Sequence, residues 1–167
     1  MLVVMTGLPC TFKSTIPRAV ARELDAPVVS ADPIDAALAA AGVPNTEGRV
    51  GYEVMKALAA TELGSGRSVV IDAVNPFAFV RHAYFDLASA AGCQVRVIVT
   101  TWGDEAVHRE RVSRRTGEGM LDWREVERQR AYYEPYRGEA LHLDAGEAAN
   151  LNCMRAITYT AQDDQGR

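Results

Sequence analysis

Five short apolar runs punctuate the chain: "LVVMT" from Leu2, "PVVSAD" from Pro27, "SVVID" from Ser68, "QVRVIVTT" from Gln94 and "ALHLDAG" from Ala140. Runs of this length, bounded by turn residues, read as buried strands. Helical periodicity fills the intervals. Ile16, Val20 and Leu24 recur every fourth position within Lys13–Leu24, with Pro17 in the first turn, where a missing N–H costs little. Ile34–Ala41 and Glu47–Leu63 read as helices divided by "GVPN". Asn75-Pro76 has the form of an N-cap followed by a first helical residue. Val80, Ala83, Tyr84, Leu87 and Ala91 then share one face, and Gly92 ends the helix. Asp104–Arg115 reads as a basic helix. Asp122 and Glu125 have the spacing of a capping box, opening a helix to about Tyr133. A last helix reaches Ala161, and "QDDQGR" (162–167) is expected to fray.

Strands alternating with helices predict an α/β fold in which one parallel sheet is covered on both faces. No repeat, low-complexity tract or linker interrupts the chain, so 1–161 reads as a single domain. Segment 33–63 is long for one crossover and suggests a small substrate-side helical cap. The 167 residues are 48% apolar and 24% charged, an ordinary soluble balance. The formal charge of −4 argues against broad coating of nucleic acid, which needs a large basic surface. Cys10, Cys93 and Cys153 are too dispersed for a zinc site or a redox dithiol and suit a reducing cytosol. "MLVVM" is too short for a signal peptide, and no apolar run approaches the ~20 residues that span a bilayer. Nothing in the pattern separates a monomer from a homodimer.

The chemistry concentrates at "MTGLPCTFKST", Met5–Thr15. A strand that enters a tight loop and then a helix is the setting of a phosphate-binding P-loop, or Walker A motif. The run Gly7-Leu8-Pro9-Cys10-Thr11-Phe12 supplies loop amides. Lys13 supplies a mobile positive charge for β/γ-phosphates, and Ser14 a hydroxyl for Mg²⁺. Thr15 is placed to contact the α-phosphate or to cap locally. Phe12 stands where the common motif has glycine, yet a helical φ there is open to any L-residue. The cradle is therefore expected to survive, with Phe12 packed away from the phosphates. Cys10 reads as a small space-filling residue rather than a nucleophile.

Asp32 and Asp72 both close strand candidates, and the carboxyl ends of parallel strands form the rim where ligands bind. Asp32 there is suited to accept a proton from a substrate hydroxyl, with Asp35, one turn on, as an alternate base. Asp72 follows an apolar strand in the manner of a Mg²⁺-holding carboxylate. The plainer alternative for either is a turn or helix-cap aspartate. Asn75 is an N-cap or a substrate contact. Arg49 and Tyr52 are candidates for a substrate pocket or for ordinary packing. In "HRERVSRRTGEGM", Arg111 and Arg115 share a helical face, Arg114 flanks them, and Gly117 and Gly119 allow bending. This segment, 104–120, suits an arginine-bearing lid over a transferred phosphoryl group; a solvated basic face is the alternative. His82, His108 and His142 have no ligand spacing and read as surface or packing residues.

Taken together, "GLPCTFKST", "SAD", "VIDAVN" and "ERVSRRTGEGM…YYEP" resemble the small P-loop kinases. That group includes gluconate and shikimate kinases, chloramphenicol phosphotransferase, zeta toxins and the kinase domains of polynucleotide kinases. The arginine segment is similar to that of gluconate kinases; "VIDAVN" is closer to the zeta-toxin and polynucleotide-kinase branch. The resemblance implies sheet order 2-3-1-4-5 and cytoplasmic transfer of a γ-phosphate from ATP, or GTP, with Mg²⁺. The acceptor would be a hydroxyl of a small metabolite, nucleoside or antibiotic. Lys13 and Ser14 would serve nucleotide and metal, Asp32 the acceptor, and Arg111 and Arg115 the moving phosphoryl. An adenine loop would lie near Asp144–Ala148. A polynucleotide 5′-hydroxyl kinase and a non-catalytic nucleotide-binding module are the competing readings.

Overall fold

The computed structural model describes residues 1–11, 15–114 and 122–162. Five strands, β1 (Leu2–Gly7), β2 (Val28–Ser30), β3 (Val69–Asp72), β4 (Val95–Thr101) and β5 (Leu141–Asp144), form one parallel sheet in the order β2-β3-β1-β4-β5. The expected fold class and strand order are both present. β1 is central and buried at every position, consistent with its unbroken apolar run. Its side chains alternate between two cores. Leu2 and Val4 join Val69, Ile71, Met55, Val80 and Tyr84 on one face, whereas Val3 and Met5 join Val70, Ile16, Val20, Ile98 and Leu143 on the other. Each such large apolar side chain contributes about 1.5–3 kcal/mol when fully buried.

The helices divide accordingly. α1 (Thr15–Glu23) and α7 (Ala149–Ala161) cover the second core. α3 (Arg49–Gly64) and α4 (Ala78–Ala90) cover the first. α2 (Ala31–Ala40) leans on α3 and buries no residue, and a 3₁₀ turn, Thr46–Gly48, joins the two. α5 (Glu105–Ser113) and α6 (Trp123–Tyr132) project beyond β4. Aspartates cap both: Asp104, expected as the first residue of the helix, accepts from the amides of Ala106 and Val107, and Asp122, the expected cap, accepts from that of Glu125. None of the described helices is long and apolar enough to cross a membrane.

Three expectations need correction. Asp32 does not close a strand: β2 ends at Ser30, and Asp32 stands in the first turn of α2. Asn75 is not an N-cap: α4 starts at Ala78 after Phe77, while Asn75 is fully buried and donates through Nδ2 to the Met5 carbonyl at 2.6 Å. The buried face of α4 is Val80, Arg81, Tyr84 and Ala88, one step round from the expected stripe, because Arg81 turns inward to bond the carbonyls of Asn75 and Pro76.

Gly7 ends β1 with φ +146°, and a Cβ there would collide with the Thr100 carbonyl and lie 2.5 Å from its Oγ1. Gly7→Ala is therefore expected to destabilise the fold by about 3 kcal/mol or more, read as a lowered denaturation midpoint with an unchanged m-value.

Candidate active site

The carboxyl ends of β1, β2, β3 and β4 form one rim. Ser30 is in register with Asp72, and its Oγ donates to Asp72 Oδ2 at 3.3 Å. Asp72 is buried at the end of β3, so this part of the expectation stands.

The loop after β1 is fastened by its carbonyls. The Thr11 hydroxyl donates to the Leu8 carbonyl at 2.8 Å and meets Thr100 Oγ1 at 2.7 Å. His108 Nε2 donates to the Pro9 carbonyl at 2.8 Å, which assigns the proton to that nitrogen. Trp102 Nε1 donates to the Cys10 carbonyl at 3.1 Å. In a trans peptide the next amide hydrogen points opposite to the carbonyl. The Cys10 and Thr11 N–H groups are thus turned away from these anchors, as an anion cradle requires. Cys10 has φ +62°, a left-handed conformation that costs an L-residue about 1–2 kcal/mol and that glycine adopts freely. The residue is a departure in side chain and not in backbone shape. Thr15 opens α1, whereas Phe12, Lys13 and Ser14 lie outside the described residues.

His108 and Trp102 were not singled out by the sequence pattern. His108 is 2% exposed, stacks on Trp102 with ring centres 5.7 Å apart, and meets Trp123 edge-on at 5.3 Å. The available signal was indirect: α5 buries only His108 and Val112, four residues apart on one face.

The arginines divide into two groups. Arg114 pairs with Glu110 at 2.6 Å, and Arg109 pairs with Glu127 at 3.5 Å while covering Trp123 at 4.8 Å; these belong to a solvated face. Arg111 instead lies 5.9 Å from the Trp102 ring centre, on the side chain that holds the loop. Arg115, Gly117, Gly119 and Met120 lie outside the described residues, as does 163–167. The turn after β5 adjoins the same indole: Gly146 lies near Trp102, and Asp144 Oδ1 accepts from the amides of Gly146 and Gly103.

On the opposite side of the rim, Asp35 Oδ1 accepts from Asn45 Nδ2 at 2.7 Å, and Asn45 Oδ1 accepts from the Gly51 amide at 3.0 Å. Partial desolvation, then the Asp32 charge, raise the Asp35 carboxyl above its ordinary range, and the Asn45 bond counters them. Tyr52 is half-buried. Desolvation, then the Asp35 charge, push its pKa up, so the hydroxyl stays protonated. Arg49 and Tyr52 line one groove, of about 460 Å³, with Phe77, Phe79 and Tyr132. Asn75, expected as a substrate contact, does not line it: the residue is fully buried and its side chain is committed to the core. Among the described residues no cluster of three His, Cys, Asp or Glu is arranged to hold a metal.

His108→Leu is expected to leave the Pro9 carbonyl without its donor and to cost about 1–3 kcal/mol of stability. His108→Gln, which returns an amide donor at the same reach, is expected to recover at least half of the loss in a denaturation series.

Comparison with known proteins follows this geometry. A family model described as an AAA domain matches residues 2–136. No curated protein matches by sequence. Among solved structures, a sugar kinase from a Janibacter species aligns with TM-score 0.74 at 22% identity, over 95% of this chain and 93% of that one. A gluconokinase from Sinorhizobium meliloti aligns with TM-score 0.70 at 22% identity, over 95% and 90%. The APS kinase of Mycobacterium tuberculosis, in complex with AMPPNP and APS, aligns with TM-score 0.66 at 18% identity, over 96% and 97%. At these identities the likeness establishes a shared fold. The chain belongs to the AAA domain family, whose model covers residues 2–136, and it shares the fold of these kinases.

Proposed function

We propose that this protein is an ATP- and Mg²⁺-dependent phosphotransferase acting on a hydroxyl of a small molecule. The observation that carries the proposal is the loop at 8–11, whose Leu8, Pro9 and Cys10 carbonyls are fixed from behind so that the Cys10 and Thr11 amides face the opposite side. A glycine that tolerates no Cβ precedes it, and the strand–loop–helix setting is that of nucleotide-binding P-loops. The family and the kinase neighbours support the same reading.

Phosphoryl transfer asks mainly for positioning and for charge on the equatorial oxygens of the moving group. The amides of the loop and the ammonium of Lys13 hold the phosphate tail. Asp32, exposed at the head of α2, accepts the proton of the acceptor hydroxyl as attack proceeds in line with the β–γ bridge. Arg111 and Arg115 offer charge-assisted hydrogen bonds to the phosphoryl oxygens. Mg²⁺, when bound, would supply charge that neutralises the phosphate tail, and Ser14 and Asp72 would be the residues to hold it. The buried Asp72 carboxylate, already bonded by Ser30 at the rim, fits that duty.

Lys13→Ala is expected to lower ATP-dependent transfer by about 10³-fold, and Asp32→Asn by about 10²–10⁴-fold, with far-ultraviolet circular dichroism unchanged. Near-normal kcat for Asp32→Asn with the true acceptor would remove Asp32 from the base role. Calorimetric ATP·Mg²⁺ binding with no transfer to any acceptor would instead indicate a nucleotide-binding module. Steeply salt-dependent oligonucleotide binding would indicate an end kinase.

A further inference from the structure

The groove beside Tyr52 has a chemistry of its own. Phe77 stacks on Phe79 with ring centres 5.4 Å apart and planes 15° from parallel, and on Tyr132 at 5.4 Å and 22°. Such separations are those of attractive offset stacking. Phe79 is nevertheless 65% exposed and Tyr132 39% exposed, so ring surface stays open to the groove. The platform is rigid. Phe77 is fixed where α4 begins, by the Arg81 bonds to the carbonyls just before it. Beyond Tyr132, the Glu134 amide donates to the Pro76 carbonyl at 2.9 Å, and Glu134 Oε2 accepts from the Ala78 amide at 2.6 Å.

The charges around the rings cancel. Glu47 and Glu53 face Arg49 and Lys56, and Lys56 is held by Glu53 at 2.6 Å. A sugar acid would find no net positive field here. Tyr52, which lines the groove, follows Gly51 in α3, and Gly51 lies against Asp35 of α2, one turn from Asp32.

We infer that the groove takes an uncharged acceptor with a flat aromatic or heteroaromatic ring, stacked on the Phe77–Phe79–Tyr132 platform, with its hydroxyl directed to the Asp32 side. The inference rests on the phosphotransferase reading for the fate of that hydroxyl, but not for ring binding itself. Two sources share this chemistry, a nucleoside and an aryl-substituted alcohol.

The test uses the full chain with uridine, 3-phenylpropane-1,2-diol and gluconate as probes. Saturation-transfer NMR and titration measure binding, and ADP release in ATP·Mg²⁺ measures transfer. Saturation is expected at the ring protons of at least one ring-bearing probe, with none for gluconate. Stacking on one aromatic side chain is worth about tenfold or more in affinity. Phe79→Ala is accordingly expected to weaken ring-probe binding by at least about tenfold, and Phe79→Trp to keep it. Leu58→Ala, which alters an exposed apolar residue outside the groove, is expected to change nothing. Which ring probe responds separates the nucleoside from the aryl alcohol. Binding of gluconate in place of the ring compounds, no binding of either ring compound, or full ring affinity in Phe79→Ala overturns the inference. Ring binding that depends on Phe79, without ADP release from any acceptor, upholds the groove and overturns the phosphotransferase reading instead.

Discussion

The loop after β1 is held by its carbonyls, and the function depends on that restraint. Thr11, His108 and Trp102 each donate to one carbonyl in the Leu8–Cys10 stretch. Peptide planarity converts the bonds to the Pro9 and Cys10 carbonyls into a fixed direction for the Cys10 and Thr11 amides, while the bond to the Leu8 carbonyl, which precedes the N–H-free Pro9, fixes the loop itself. Glycine at position 10 would reach the same φ more readily, but it would also enlarge the unfolded ensemble. With cysteine at φ +62°, the Trp102 bond to its carbonyl offsets part of the backbone cost. The two aromatic donors come from the β4–α5 region, which also carries Arg111. Loop shape and arginine placement are therefore consequences of one packed cluster.

The strands were legible because a buried parallel strand has few ways to be written. β1 and β3 are continuous apolar runs ended by small or polar residues, β4 is interrupted only by Arg96, and the structure returns all three nearly residue for residue. The cap on α6 was legible because an aspartate three residues before a glutamate at a helix start has one dominant use, whereas Asp104, expected as the first residue of α5, is its cap. The boundary at Asp32 was not. α2 is rich in alanine and buries nothing, so no apolar stripe marked where β2 gave way to helix. Asn75 also misled, since Asn-Pro is a good helix opening locally. A bond to the Met5 carbonyl draws it into the core at φ +46° and delays α4 by two residues. Tertiary hydrogen bonding overrode the local signal in that case. For α5, His108 reads as a surface or packing residue; it is a packing residue, buried with its Nε2 on the Pro9 carbonyl, and no local signal marked that partner 99 positions earlier.

The turn at 73–77 links the two halves of the site. The Thr6 hydroxyl bonds the Val74 carbonyl at 3.0 Å and the Tyr133 hydroxyl at 2.8 Å. The Gly7 amide donates to the Val74 carbonyl at 3.2 Å. Arg81 holds the turn from below and Glu134 ties it to the end of α6. The wall of the aromatic groove and the start of the phosphate loop thus share one hydrogen-bonded frame. A displacement of either by half an ångström strains bonds in the other, which is how a small domain keeps donor and acceptor sides aligned.

That frame also decides between the two carboxylates at the head of α2. With no buried side chain of its own, α2 depends for its placement on Ala31 and Ile34 against the core and on the Asp35–Asn45–Gly51 latch. Gly51 admits that latch because a Cβ there would lie 2.7 Å from Asp35 Oδ1. Asp35 therefore spends one oxygen on holding the α2–α3 corner, and protonating it would weaken the bond that sets the geometry. A general base must give and take a proton without disturbing its own support. Asp32, one turn earlier and exposed, meets that condition, so Asp35 is better placed to position the acceptor side and Asp32 to act on it.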